Sequence, residues 1–268
     1  MLTKNRIEAT FERSLTVDGP VQLDIAIDNG AVLIQRGTEG AVQIRGILRA
    51  RRSFLGWGDA EDRIHWMQAN PPVSQNGNSI HVGFTNEWWQ ARGITVLFEI
   101  LTPADTRVSA HTDSGDIRVR DVRGPVSCDA DSGSIEISGV ESDVRASADS
   151  GSIRIQQVRG SVYAEADSGS VTAFEIAGRI DAAADSGEIR LWQTEPAPVT
   201  ARADSGAISL RLAPGAGYNL RIQTDSGAIH IPDLTYSREW SRQAVEGQVR
   251  GGGPLAEIRT DSGAVDVS

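Results

Sequence analysis

From residue 106 onward, apolar and polar residues alternate in short runs, and the runs recur. Ile117-x-Val119, Ile135-x-Ile137 and Ile153-x-Ile155 stand at equivalent places, as do Val126-x-Cys128-x-Ala130, Val144-x-Ala146-x-Ala148 and Val162-x-Ala164-x-Ala166. A period of two marks a strand with one buried face. The second kind of run always ends at Asp-Ser-Gly. That triplet begins at Asp113, Asp131, Asp149, Asp167, Asp185, Asp204, Asp225 and Asp261, in steps of 18, 18, 18, 18, 19, 21 and 36. The last step is twice eighteen.

Two short strands cannot bury their own apolar faces, whereas coils stacked on one another can. The pattern therefore predicts an all-β fold, a single-stranded parallel β-helix, or β-solenoid, of about 18 residues per coil. The crossover preference makes it right-handed. Adjacent coils would lie about 4.8 Å apart, so that eight make a rod section of about 40 Å. The outward residues Arg118, Glu136 and Arg154 would then stack as opposite charges. The alanine-rich strand implies a thin interior with little room for a buried ligand. Asp-Ser-Gly is expected to be a corner in which glycine takes φ > 0 and Asp accepts backbone N–H bonds in an Asx-turn.

Residues 1–105 repeat less cleanly and are expected to form irregular β coils or a cap, with 106–268 as the regular solenoid. Leu23-x-Ile25-x-Ile27 before Asp28-Asn29-Gly30 looks like an early corner, and Ile80-x-Val82 after Asn76-Gly77 like another. Ile94–Leu101 reads as a strand, Pro103 as a turn, and Asp59–Arg63 as one helical turn. An irregular insertion or diverged coil falls at about 235–255. The final Val265-x-Val267 stands so near Ser268 that an unpaired edge strand is expected there.

Composition narrows the function. Thirty-six acidic residues against 26 basic ones give a net charge of -10. That balance disfavours nucleic acid, and no run is long and apolar enough for membrane insertion. The start has no apolar run of signal-peptide length. A cytoplasmic place is expected if Met1 is the native start, and a cell-envelope or surface place if a signal was removed. The single Cys128 excludes an internal disulfide, and its inward offset predicts packing.

Candidate chemistry is sparse. The four histidines, His65, His81, His111 and His230, show no ligand or triad spacing and are expected on solvated surface. The Gly251-Gly252-Gly253-Pro254 run lacks the lysine of a phosphate loop. No cofactor is expected. Calcium on the stacked carboxylates Asp131, Asp149, Asp167 and Asp185 is the alternative, since carboxylate oxygens suit that ion. Only one turn per coil is acidic, however, where calcium β-rolls use both. Four of the six tryptophans, Trp57, Trp66, Trp88 and Trp89, lie in the irregular part. They form either a cap over the rod end or an aromatic contact patch for a protein or glycan.

The stretch ITVLFEILTPADTRVSAHTDSGDIRVRDVRGPVSCDADSGSIEI, with the ending GGGPLAEIRTDSGAVDVS, resembles a bacterial family of unknown function labelled "putative adhesin" or β-strand-repeat-containing. ATFERSLTVDGPVQLDIAIDNGAVLIQRG is similar to that family's start. The resemblance spans nearly the whole chain. It implies a β-helix and brings no catalytic residue with it. The expected function is a non-enzymatic scaffold or interaction protein, with a protein partner or self-association. The alternatives are an adhesin-like module for calcium or glycan and, last, a polysaccharide-acting enzyme.

Overall fold

The structure, a computed structural model, describes residues 6–51, 60–83, 93–232, 234–241 and 243–268. The described chain is mostly strand. It opens with β1 (Arg6–Thr16), β2 (Val21–Arg36), β3 (Ala41–Arg51), α1 (Ala60–Ala69), β4 (Val73–Asn76), β5 (Ser79–Gly83) and β6 (Ile94–Thr102). Then come β7 (Thr106–Arg120), β8 (Val126–Ser132), β9 (Ile135–Val140), β10 (Val144–Ser150), β11 (Ile153–Val158), β12 (Val162–Ser168) and β13 (Val171–Ile176). They continue as β14 (Ile180–Ser186), β15 (Ile189–Gln193), β16 (Val199–Ser205), β17 (Ile208–Arg211), β18 (Tyr218–Ser226) and β19 (Ile229–His230). The last are β20 (Leu234–Ser241), β21 (Ala244–Val249), β22 (Leu255–Ser262) and β23 (Val265–Val267).

The repeats stack as two parallel, solenoid-like ladders. In the alanine-rich ladder, Val144 lies between Val126 and Val162. In the isoleucine-rich ladder, Ile153 lies between Ile135 and Val171. The inward residues of both are buried and merge with those of the N-terminal part into one core cluster, from Phe11 to Val267. The expected charge stack is present: Arg118, Glu136 and Arg154 are register partners, and Arg118 Nε lies 3.3 Å from Glu136.

The order of the stack departs from the order of the chain at both ends. β2 lies between β7 on one side and β5 and β6 on the other. Beyond β6 the sheet continues antiparallel through β3 to β1, and β4 borders β5. At the other end β22 lies between β16 and β18, and β23 between β17 and β19. The last strand is therefore no open edge, contrary to the sequence expectation. Residues near 235–255 contain the hairpin β20–β21, whose β21 runs antiparallel along β18 and borders that end of the alanine-rich ladder.

Other expectations are refined. The helical turn is a ten-residue helix, and its Ile64 and Met67 are fully buried against the cap. Glutamines cover carbonyls of the outermost strand β1: Gln68 Nε2 donates to Thr10 O and Gln75 Nε2 to Thr16 O, both at 2.8 Å. Such side-chain donors blunt a sheet edge that would otherwise template association. The register shifts between β13 and β15, so that Gln193 stands opposite Ile176. Gln193 is fully buried there, among aliphatic neighbours. It is satisfied by donating to Gly178 O at 3.0 Å and accepting from Tyr218 Oη at 2.9 Å.

Candidate interaction surfaces

The Asp-Ser-Gly corners form one column. Ser114, Ser132 and Ser150 are successive register partners, as are Ser186, Ser205, Ser262 and Ser226. The glycines hold the corner for a reason other than the expected one. Gly133, Gly151 and Gly169 do not have positive φ. Instead, a Cβ on Gly151 would sit 1.9 Å from Gly133 O, and one on Gly169 would sit 2.0 Å from Gly151 O. The corner glycines let backbones of neighbouring coils touch. The left-handed positions lie on the other side of the coil, at Asp121, Gly139, Gln157 and Glu175, with φ of 58–67°.

The aspartates are lined up but do not close Asx-turns. Asp131, Asp149, Asp167 and Asp185 are exposed, and no hydrogen bond or ion pair to their carboxylates is present among the described residues. Neighbouring carboxylates about 4.8 Å apart repel by roughly 0.9 kcal/mol even in water-like dielectric. The corner thus needs its glycines for packing, while its aspartates supply charge and solvation. Among the described residues, no three His, Cys, Asp or Glu side chains are grouped closely enough to share a metal ion.

A second surface lies on the outward face of the alanine-rich ladder. A groove of about 480 Å³ is lined by Arg107, Arg145, Tyr163 and Arg179, with Ser109, Ser127 and Ser161 between them. Asp143 also lines it, and its Oδ1 accepts from Ser161 N at 2.8 Å. The Arg145 guanidinium lies 4.1 Å from the Tyr163 ring centre. Tyr163 Oη donates to Glu165. That bond, reinforced by partial burial, raises the phenol above its ordinary value. The neutral phenol's contribution is complete below about pH 10 and is lost as pH rises through the raised value. Arg179 is 3.7 Å from Asp181, whereas Arg107 and Arg145 have no carboxylate partner among the described residues. A larger hollow, about 750 Å³, lies on the cap sheet. Its Arg45 is shared by Glu12 at 3.9 Å and Glu99 at 3.4 Å, so its charge is neutralised locally.

The remaining candidates fall into place. Trp66 is half-buried and packs against the core; Trp57, Trp88 and Trp89 lie outside the described residues. Sequence reasoning passed over Trp192, which is half-buried on the isoleucine-rich ladder with the Arg211 guanidinium 4.7 Å from its ring. Its place one residue after inward Leu191 was the available signal. Cys128 is fully buried, and burial pushes its thiol far above the usual range, so it is inert. His65, His111 and His230 are exposed. His81 is a correction: it is half-buried, and its Nδ1 lies 2.9 Å from Asp24 Oδ2. Ser74 is its cross-strand neighbour. No hydrogen bond joins that serine to the imidazole among the described residues, so the pair lacks the nucleophile contact of a triad.

The family model Toastrack DUF4097 matches residues 61–268. The chain belongs to the Toastrack family. No curated protein matches it. Among solved structures, a "putative adhesin" from Bacteroides fragilis is similar in fold to this Toastrack chain, with a TM-score of 0.50, 12% identity and 97% of each chain covered. A "putative cell adhesion protein" from Clostridium sporogenes matches at a TM-score of 0.23 and 9% identity, covering 97% of this chain and 99% of its own. A "putative adhesin" from Parabacteroides distasonis matches at 0.35 and 9%, covering 97% of each. No helix among the described residues is long and apolar enough to cross a membrane.

Proposed function

We propose that this Toastrack protein is a non-enzymatic scaffold that binds an acidic, extended protein segment in the Arg107–Arg145–Arg179 groove. In this reading the solenoid is a right-handed β-helix of about 18 residues per coil. The observation that carries the proposal is the spacing of the arginines. They stand on β7, on β10 and just before β14, two coils apart each time along the ladder, Arg145 just after inward Val144 and the other two just before inward Val108 and Ile180. Two coils span about 9.6 Å, and three residues of a segment in the extended polyproline-II conformation span about 9.3 Å. That helix has three residues per turn, so carboxylates at every third residue share one side and face successive guanidinium groups. Arg and Tyr are among the side chains that most often anchor interfaces. Long-range repulsion from the protein's net charge is screened beyond about 8–10 Å in physiological salt, which leaves the local groove to decide.

An adhesin-like reading uses the same groove for an acidic glycan, with Tyr163 and the hydroxyls of Ser109, Ser127 and Ser161 as polar partners. A place at the cell envelope accords with that reading. Fluorescence anisotropy with a labelled Asp/Glu-rich peptide tests the proposal. Binding is expected to weaken with added salt and at least tenfold in Arg145→Ala, because a desolvated charged anchor is worth more than about 1.4 kcal/mol. Binding unchanged in Arg145→Ala would overturn it. Polygalacturonate binding without peptide binding would favour the glycan. A large rise in melting temperature with calcium, reversed by chelator and lost in Asp149→Asn, would move the function to the aspartate corner.

A further inference from the structure

We infer that the coil β22–β23 is an exchangeable element: residues 255–268 of one copy fit the same slot in a second copy, and two chains can complete each other reciprocally. This goes beyond the groove reading and does not depend on it. The slot has two walls. Gly206 N donates to Ser262 O and Ile208 N to Ala264 O on one side; Gly263 N donates to Ser226 O and Val265 N to Ala228 O on the other. Ala256, Ile258, Thr260, Val265 and Val267 are buried within it. The inserted coil thus satisfies backbone groups on both flanks, as a donated strand does.

Three features point to exchange. First, both walls precede the occupant in the chain, so the slot is assembled from residues 199–230 before residues 255–268 must enter. The N-terminal coil β2 is the reverse case, for it precedes its neighbours. Second, the occupant is joined to β21 through Arg250, Gly251 and Gly252, at φ of 50°, 86° and 83°, followed by Gly253-Pro254. Glycines accept redirected backbone at little cost, and such a connection is where a swapped segment diverges. Third, the slot reads only the alternation of inward residues and the corner glycine. A second copy offers both in the identical sequence.

The test uses full-length chains in a Cys128→Ala background. Arg202 and Arg259 are register partners on β16 and β22, and both are exposed. Cysteines at such positions lie within disulfide reach. Chains carrying Arg202→Cys are refolded together with chains carrying Arg259→Cys and then mildly oxidised. A disulfide-linked heterodimer with native circular dichroism is expected, its yield rising with protein concentration during refolding. A control mixture of Arg145→Cys with Arg259→Cys should give none. The inference fails if the first mixture stays unlinked while a single chain with both Arg202→Cys and Arg259→Cys closes its own disulfide. It also fails if the control mixture links equally well, or if the doubly substituted chain does not close, since the slot would then be misplaced.

Discussion

Gly151→Ala is expected to destabilise the protein by about 3 kcal/mol, at the upper end of what overpacking a rigid site costs. The added Cβ would meet the Gly133 carbonyl oxygen, a backbone atom fixed by the coil on which it stacks. No rotamer can relieve that contact. Two coils must part, and the ladder hydrogen bonds beside them weaken with it. The choice of substituent distinguishes the cause. Asparagine tolerates left-handed backbone better than alanine does, so a corner that needed φ > 0 would prefer it. At Gly151 asparagine should be as damaging as alanine, because both carry a Cβ. Urea unfolding of the two variants decides the matter. Asp149→Asn beside them should not destabilise the protein, since Asp149 is exposed and its side chain makes no contact that holds the corner; relief of repulsion from Asp131 and Asp167 should raise stability by about 1 kcal/mol.

Ile258→Ala is expected to cost about 3 kcal/mol, within the range for truncating a buried isoleucine. Terminal segments usually fray and tolerate change. Ile258 is close to Ser268 in the chain but is 1% exposed, with Ala201 and Ile222 as its partners on the two flanking strands. Amide exchange offers a mutation-free check. The amides of Ile258 and Val265 should exchange with the slow core set, because opening them separates their coil from the neighbouring coil on each side. Exchange as fast as that of a frayed end would refute the insertion.

Much of this was legible in the sequence, and the reason is periodicity. Alternation shows which side of Val144, Ala146 and Ala148 faces inward, and the repeat shows which residues become neighbours between 106 and 211. The same regularity hid the order of the last coils. Every coil has the same inward offsets, so Ala256 fits beside Val199 as well as Leu220 does, and nothing local selects between them. The glycines were located correctly but for the wrong cause, because left-handed backbone and close backbone approach both demand glycine. Only stacked coordinates separate the two. The groove was missed because Arg107, Arg145, Tyr163 and Arg179 are far apart in the chain. Each is an ordinary outward residue until the coils are superposed.

Double electron–electron resonance distances within one chain test the stacking most directly. Spin labels are placed at Asp113 and Asp261, or at Asp113 and Asp225, with Cys128 replaced by alanine. The structure puts Asp261 six coils from Asp113 and Asp225 seven, so the first distance should be shorter by about one coil, roughly 5 Å. A shorter distance to Asp225 would mean that the coils follow chain order, and the inserted-coil architecture would be wrong.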